Sequence, residues 1–181
     1  MHTNFKLDKD GFNDDIGLFD SDGVTLIDSI AQFPPQGSNV SYGRSGDGVD
    51  NWVYFSGGTV SPSQPNGGTG GPTEGLFINE FMADNDSVIQ DNVGDYHDWI
   101  EVYNAGSSAV DLGGMYLTDT LAEPSKWMIP YGITGGTLRE EINNRLSAYT
   151  TYPPDMAALS ADLSAIRNMI RNSNVTSFSA G

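Results

Sequence analysis

Apolar residues in this chain come in short alternating runs, and each run is closed by glycine, proline, aspartate or asparagine. Phe5-Lys6-Leu7 stops at Asp8-Lys9-Asp10-Gly11. Ile16-Gly17-Leu18-Phe19 is followed by Asp22-Gly23, a strong hairpin signal, and Val24-Thr25-Leu26-Ile27 leads out of that turn. Asn51-Trp52-Val53-Tyr54-Phe55 is a further β-branched and aromatic run. Runs this short suit strands and cannot nucleate long helices. The 22 Gly and 9 Pro concentrate in the first 75 residues, which adds to the expectation of many strands joined by tight turns.

Residues 56–75 are rich in Gly, Ser and Pro and lack periodicity, so they read as a flexible linker with local stiffening. A second β-rich block follows. Leu76–Met82 alternates weakly and Trp99–Tyr103 alternates well. Val110-Asp111-Leu112 and Met115-Tyr116-Leu117 flank Gly113-Gly114, and Trp127-Met128-Ile129 ends at Pro130. Beyond Ile133 the apolar period changes from about two to about 3.6. Thr137 and Glu140 fit a capping box, Leu138, Ile142 and Leu146 share a helical face, and Pro153-Pro154 breaks the helix. Leu159, Leu163, Ile166 and Ile170 mark a second helix. The expected tail is therefore a helical hairpin within residues 133–181.

Charge excludes some functions. With 8 basic and 24 acidic residues the net charge is −16, so duplex phosphate and anionic membrane surfaces are disfavoured. Cysteine is absent, which removes disulfides and thiolate metal sites. No apolar stretch of about 18 residues is present to span a membrane. Met1-His2-Thr3-Asn4-Phe5 is not a signal peptide, so the expectation is either a fragment of a longer exported protein or a start at an internal methionine.

Residues 76–132 resemble the first half of a bacterial lamin tail domain. The matching stretches are Ile78-Asn79-Glu80-Phe81, Asp98-Trp99-Ile100-Glu101-Val102-Tyr103-Asn104, Val110–Gly114, Tyr116–Asp119 and Lys126–Pro130. Residues 5–66 are similar to the second half of the same family. They match through Phe5–Leu7, Ile16–Asp20, Asp28–Ile30, the more specific Ser41-Tyr42-Gly43-Arg44, Asp47-Gly48 and Asn51-Trp52. Together these cover about two thirds of the chain. The resemblance implies an immunoglobulin-type β-sandwich whose halves stand in swapped order. The division is then 1–66 as the C-terminal half, 67–75 as linker, 76–132 as the N-terminal half and 133–181 as helical tail. A circular permutant and a fragment straddling two tandem domains both fit. After Pro130 the family continues with an apolar strand that this chain replaces, so the sandwich is expected to lack a strand or expose an edge.

The resemblance also implies structural roles for Ser41, Tyr42, Gly43, Arg44, Trp52, Asn79, Glu80, Asp98, Trp99, Glu101 and Asn104. Arg44 is expected to pair internally with an acid such as Asp98 or Glu101, and Gly43 to permit a close backbone approach. Trp52, Trp99 and Trp127 lie in strand-like runs and are expected in the core.

Three acidic clusters carry the candidate chemistry: Asp8, Asp10, Asn13, Asp14 and Asp15; Asp84, Asn85, Asp86, Asp91 and Asp95; and Asp20 with Asp22. Calcium takes six to eight oxygen ligands, and Asp8-Lys9-Asp10-Gly11 with Asp14 has part of that character, though not the EF-hand spacing. The competing reading is that these residues initiate turns. His97 beside Asp95, Asp98 and Glu101 offers little for catalysis, since no nucleophile elbow or H-E-x-x-H accompanies it. The expectation is a non-catalytic, extracellular or cell-surface module for protein interaction or structural spacing in an exported bacterial protein. It would need no cofactor beyond structural calcium, would have a protein partner or neighbouring domain, and could exchange halves between chains. The alternatives are a calcium-stabilised, adhesin-like spacer and an orphan gene fragment without independent activity.

Overall fold

A computed structural model describes residues 3–11, 14–91, 94–131, 134–135 and 175–180. The strands in chain order are β1 (Ile16–Phe19), β2 (Leu26–Ile30), β3 (Val40–Arg44), β4 (Trp52–Ser56), β5 (Leu76–Met82) and β6 (Asp98–Asn104). They continue with β7 (Val110–Asp111), β8 (Tyr116–Thr118), β9 (Trp127–Met128), β10 (Thr134–Gly135) and β11 (Val175–Ala180). The fold is mainly β. One antiparallel sheet has the order β2-β1-β8-β9, a second has β11-β6-β5-β3-β4, and β7 pairs with β10.

Local chemistry explains the first hairpin. The Asp22 carboxylate accepts the backbone N–H of Val24 (2.9 Å), that of Thr25 (2.8 Å) and the Thr25 hydroxyl (2.6 Å), and Gly23 supplies a φ of +71°. These bonds hold Asp22 ionised and push its carboxyl below the usual range, the Thr25 hydroxyl contributing most. They also keep Val24 and Thr25 in the turn, so β2 starts at Leu26 and not at Val24. Phe5 and Leu7 point into the core as their alternation requires, but their segment forms no strand.

The two sequence halves are woven together. Each half contributes two strands to each of the two larger sheets, and the ladders β1–β8 and β3–β5 cross between halves. Between the sheets lie Ile16, Leu18, Phe33, Ile78, Phe81 and Ile100, all almost fully buried. Phe81 meets Phe33 edge-on at 4.8 Å between ring centroids. Val110–Leu112 and Met115–Leu117 do flank a glycine turn, but they do not pair with each other: β7 joins β10, while β8 lies between β1 and β9.

The described parts of the tail bear on one of two expectations. The helices expected over 137–149 and 155–170 lie outside the described residues, whereas the described parts of the tail are the strands β10 and β11. The expectation of a missing strand or exposed edge is overturned at β6. Val175 to Ala180 pair antiparallel with Tyr103 to Asp98, so that edge is covered along all of β6 but Asn104. The physical reason is that an unpaired row of N–H and C=O groups beside a buried strand invites a partner. The β-branched and aromatic residues Val175, Thr176 and Phe178 favour an extended segment that can supply one. Among the described residues no helix is long and apolar enough to cross a membrane.

Candidate functional site: a buried polar network on the outer face of the five-stranded sheet

The site depends on a bulge in β5. Ile78 opposes Val102, whereas Glu80 opposes Glu101, so Asn79 is an extra residue on β5. Side chains two residues apart in a regular strand share a face. The bulge breaks that rule, leaving Ile78 in the core and turning Glu80 outward beside Glu101. Asn79 spans the gap. Its amide nitrogen donates to Asp47 Oδ1 (3.1 Å) and Glu101 Oε1 (2.9 Å), and its oxygen accepts the Gly48 N–H (3.1 Å).

Glu80 and Glu101 are both fully buried. Glu80 accepts the Ser41 hydroxyl at 2.5 Å, and the Ser61 backbone and hydroxyl at 3.3 and 2.7 Å. Glu101 accepts the Ser63 N–H at 2.6 Å. Asn66 closes the network: its N–H donates to Asp47 (2.9 Å) and its amide nitrogen to Arg44 O (2.7 Å). Much of the expected linker is thus laid over the sheet as a cover, with Asn66 buried beneath it and Gly68 packed on Gly46. The cover also borders an open groove of about 530 Å³ lined by Ser45, Phe55, Thr59, Pro65 and Asn66. Burial pushes the Glu101 carboxyl up to about 8; the hydrogen bonds from Asn79 and Ser63 oppose that rise, and the charges of Glu80 and Asp47 add to it.

Gly43 behaves as expected: a Cβ there would stand 2.8 Å from both Asn79 O and Glu80 Cγ. The expected partner of Arg44 is corrected. Arg44 points to the opposite, inner face and pairs with Asp28 of the other sheet at 2.9 Å, not with Asp98 or Glu101. It also donates to Ile78 O (2.9 Å), while Asp28 accepts the Ile78 N–H (2.8 Å), so the pair ties β2 to β5. The reason is register. Tyr42 and Arg44 lie on one face of β3 and Ser41 and Gly43 on the other, and only the latter face carries the glutamates. Asp28 was visible in the sequence as an acid inside an apolar strand, but nothing local named its partner. Ser61, Ser63 and Asp47 were assigned no role from the sequence, Asp47 entering only through the Asp47-Gly48 match, because loop serines and turn aspartates carry no periodic signal.

The remaining candidates sit elsewhere. Tyr42 stacks on Trp52 at 5.6 Å, and the Arg44 guanidinium lies 4.8 Å from the Trp52 ring centre. Trp99 is buried beside Met82, and its indole N–H has no hydrogen-bond partner among the described residues. Asp98 is buried on β6, and desolvation raises its carboxyl. Asn104 caps its own turn, accepting from Gly106 N–H and donating to Ser108 O, both at 2.9 Å. Of the calcium candidates, Asp8 accepts the Asp10 N–H (3.0 Å), and Asp14 accepts the Asp8 N–H. Burial raises the Asp14 carboxyl, with Asp119 and Asp8 adding to the rise. Asp20 likewise takes the Ser21 N–H at 2.6 Å, which is turn chemistry. Among the described residues the group with ligand atoms within 4.8 Å of one another is Asp91, Asp95 and His97.

The fold and this site define a mainly β protein of two antiparallel sheets, compatible with a β-sandwich, with a carboxylate-rich polar network buried on one outer face. No family model, curated protein or solved structure matches the chain.

Proposed function

We propose that this chain is a non-catalytic, extracellular, lamin-tail-like sandwich module with its halves in swapped order, serving protein interaction or structural spacing within an exported bacterial protein. The observation that carries the reading is the cross-half pairing of β1 with β8 and β3 with β5, which makes the halves complementary parts of one core. The polar network supports it too. Its carboxylates are engaged by the chain's own serines and asparagines, which is how a structural interior satisfies buried polar groups. Light scattering on a size-exclusion column, with unfolding followed by circular dichroism, is the test. The expected result is a β-rich monomer near 19.4 kDa that unfolds cooperatively. A concentration-dependent oligomer or a non-cooperative melt would overturn the self-contained module. A hydrolytic activity lost in Glu80→Gln at unchanged melting temperature would overturn its non-catalytic character.

A calcium-stabilised spacer is the second reading, favoured by the crowding of Asp14 beside Asp8 and Asp119. It requires a rise in melting temperature at millimolar calcium, and an unchanged melt sinks it.

A further inference from the structure

Counting hydrogens in the buried network leads to a proton. Ser61 Oγ lies 2.7 Å from Glu80 Oε2 and 2.9 Å from Asn66 Oδ1. The Asn66 amide is oriented by its nitrogen, which donates to Arg44 O at 2.7 Å and Asn79 O at 3.3 Å, so its Oδ1 is an acceptor. A serine hydroxyl carries one hydrogen and can serve one of these two oxygens. The other contact needs a second hydrogen, and Glu80 is the only remaining member of the trio able to hold one. Across the ladder, Glu101 stands in register with Glu80 on the same face, and both are fully buried. Like charges directly opposite on neighbouring strands repel, and burial magnifies the repulsion.

We propose that the Glu80–Glu101 pair holds one proton in common, and that this proton clasps the 57–68 loop to the outer face of the sheet, so that its release lets the loop lift. The loop meets the pair through Ser61 on Glu80 and Ser63 on Glu101. Asn66 anchors it as well, on Asp47 and on the Arg44 and Asn79 carbonyls.

The surroundings add little that titrates. Asp47 faces the pair from the β3–β4 loop through Asn79. Tyr103, on the same strand as Glu101, has its phenol raised by burial and then by Asp47. From β3 the pair meets Ser41 and Gly43, while Arg44 is engaged with Asp28 on the other face. Neither residues 57–68 nor residues 175–180 contain an ionisable side chain. The raised carboxyl of Glu101, at about 8, agrees with a proton retained at neutral pH.

The sign follows from linkage. A carboxyl with a folded value near 8 and an ordinary value of 4.5 binds the proton more tightly when folded. Its stabilisation is complete below the ordinary value, falls as pH rises between the two, and is gone above the higher one.

The test is a carbon-13 titration of the side-chain carboxyls in the full chain, assigned through Glu80→Gln and Glu101→Gln. One proton of the pair should leave with a midpoint above pH 6.5. Completion of both titrations below that pH overturns the shared proton. Amide exchange then reads the clasp. Corrected protection at Ser61 and Ser63 should fall at least tenfold between pH 6 and pH 9, while protection in β1 holds. Equal behaviour of loop and β1 overturns the clasp even if the proton is found. Both measurements use the unsubstituted chain, so a variant that fails to fold does not shelter the proposal.

Discussion

The two faces of β5 solve opposite problems within seven residues. On the inner face the side chains of Ile78 and Phe81 pack with the apolar Ile100, Val102 and Phe33. On the outer face Glu80 meets Glu101, Ser41 and Ser61, and each oxygen depends on a particular donor. An apolar face asks for volume and tolerates changes of shape. A buried polar face asks for a complete set of partners, because each donor left unmatched carries its own desolvation cost. The inner face should therefore be sensitive to lost volume and the outer face to lost chemistry at constant volume.

Substitutions can break or sharpen that contrast. The largest effect is expected from Phe81→Ala, which opens a cavity among Phe33, Tyr42 and Trp52 and should cost about 4 kcal/mol in denaturant unfolding. Glu80→Leu comes next at about 3 kcal/mol, because it strands the Ser41 and Ser61 donors although the volume is kept. Phe81→Leu should cost markedly less than Glu80→Leu; the reverse order would break the comparison. Gly43→Ala is expected to lose about 2 kcal/mol, since its methyl must displace the Asn79 carbonyl as well as the Glu80 side chain. The smallest effect belongs to Val24→Ala, which is 72% exposed in a turn and should stay within about 0.5 kcal/mol. A larger loss there would mean that the turn is covered in solution.

Legibility followed the range of the interactions. Ile16–Phe19 and Trp99–Tyr103 could be read from alternation alone, and both are strands. Asp22-Gly23 could be read as a turn, because its hydrogen bonds reach no further than three residues. The close approach at Gly43 was also expected, and the Asn79 carbonyl provides it. The partner of Arg44 was not legible, since Asp28 and Arg44 meet across two sheets that no local pattern aligns. The strand at the end of the tail was not legible for a related reason. The tail's apolar spacing at four and three residues dominated the sequence pattern, while the strand that closes β6 lay in a short, weakly apolar stretch, Val175–Ala180. The need for that strand arises only once β6 is placed at an edge.

By itself the sequence determined that short strands and tight turns dominate, where most strands lie, and that the net charge is −16. These follow from side-chain alternation, turn chemistry and summed charge, all of which are local or additive. The tertiary structure alone decided which acid faces which base, that Glu80 stands opposite Glu101, and that a Gly- and Pro-rich stretch serves as a cover. Those outcomes turn on a single inserted residue, Asn79, and on ladders between segments far apart in sequence. A bulge reverses the face of every residue beyond it, and no local pattern marks where the extra residue will fall.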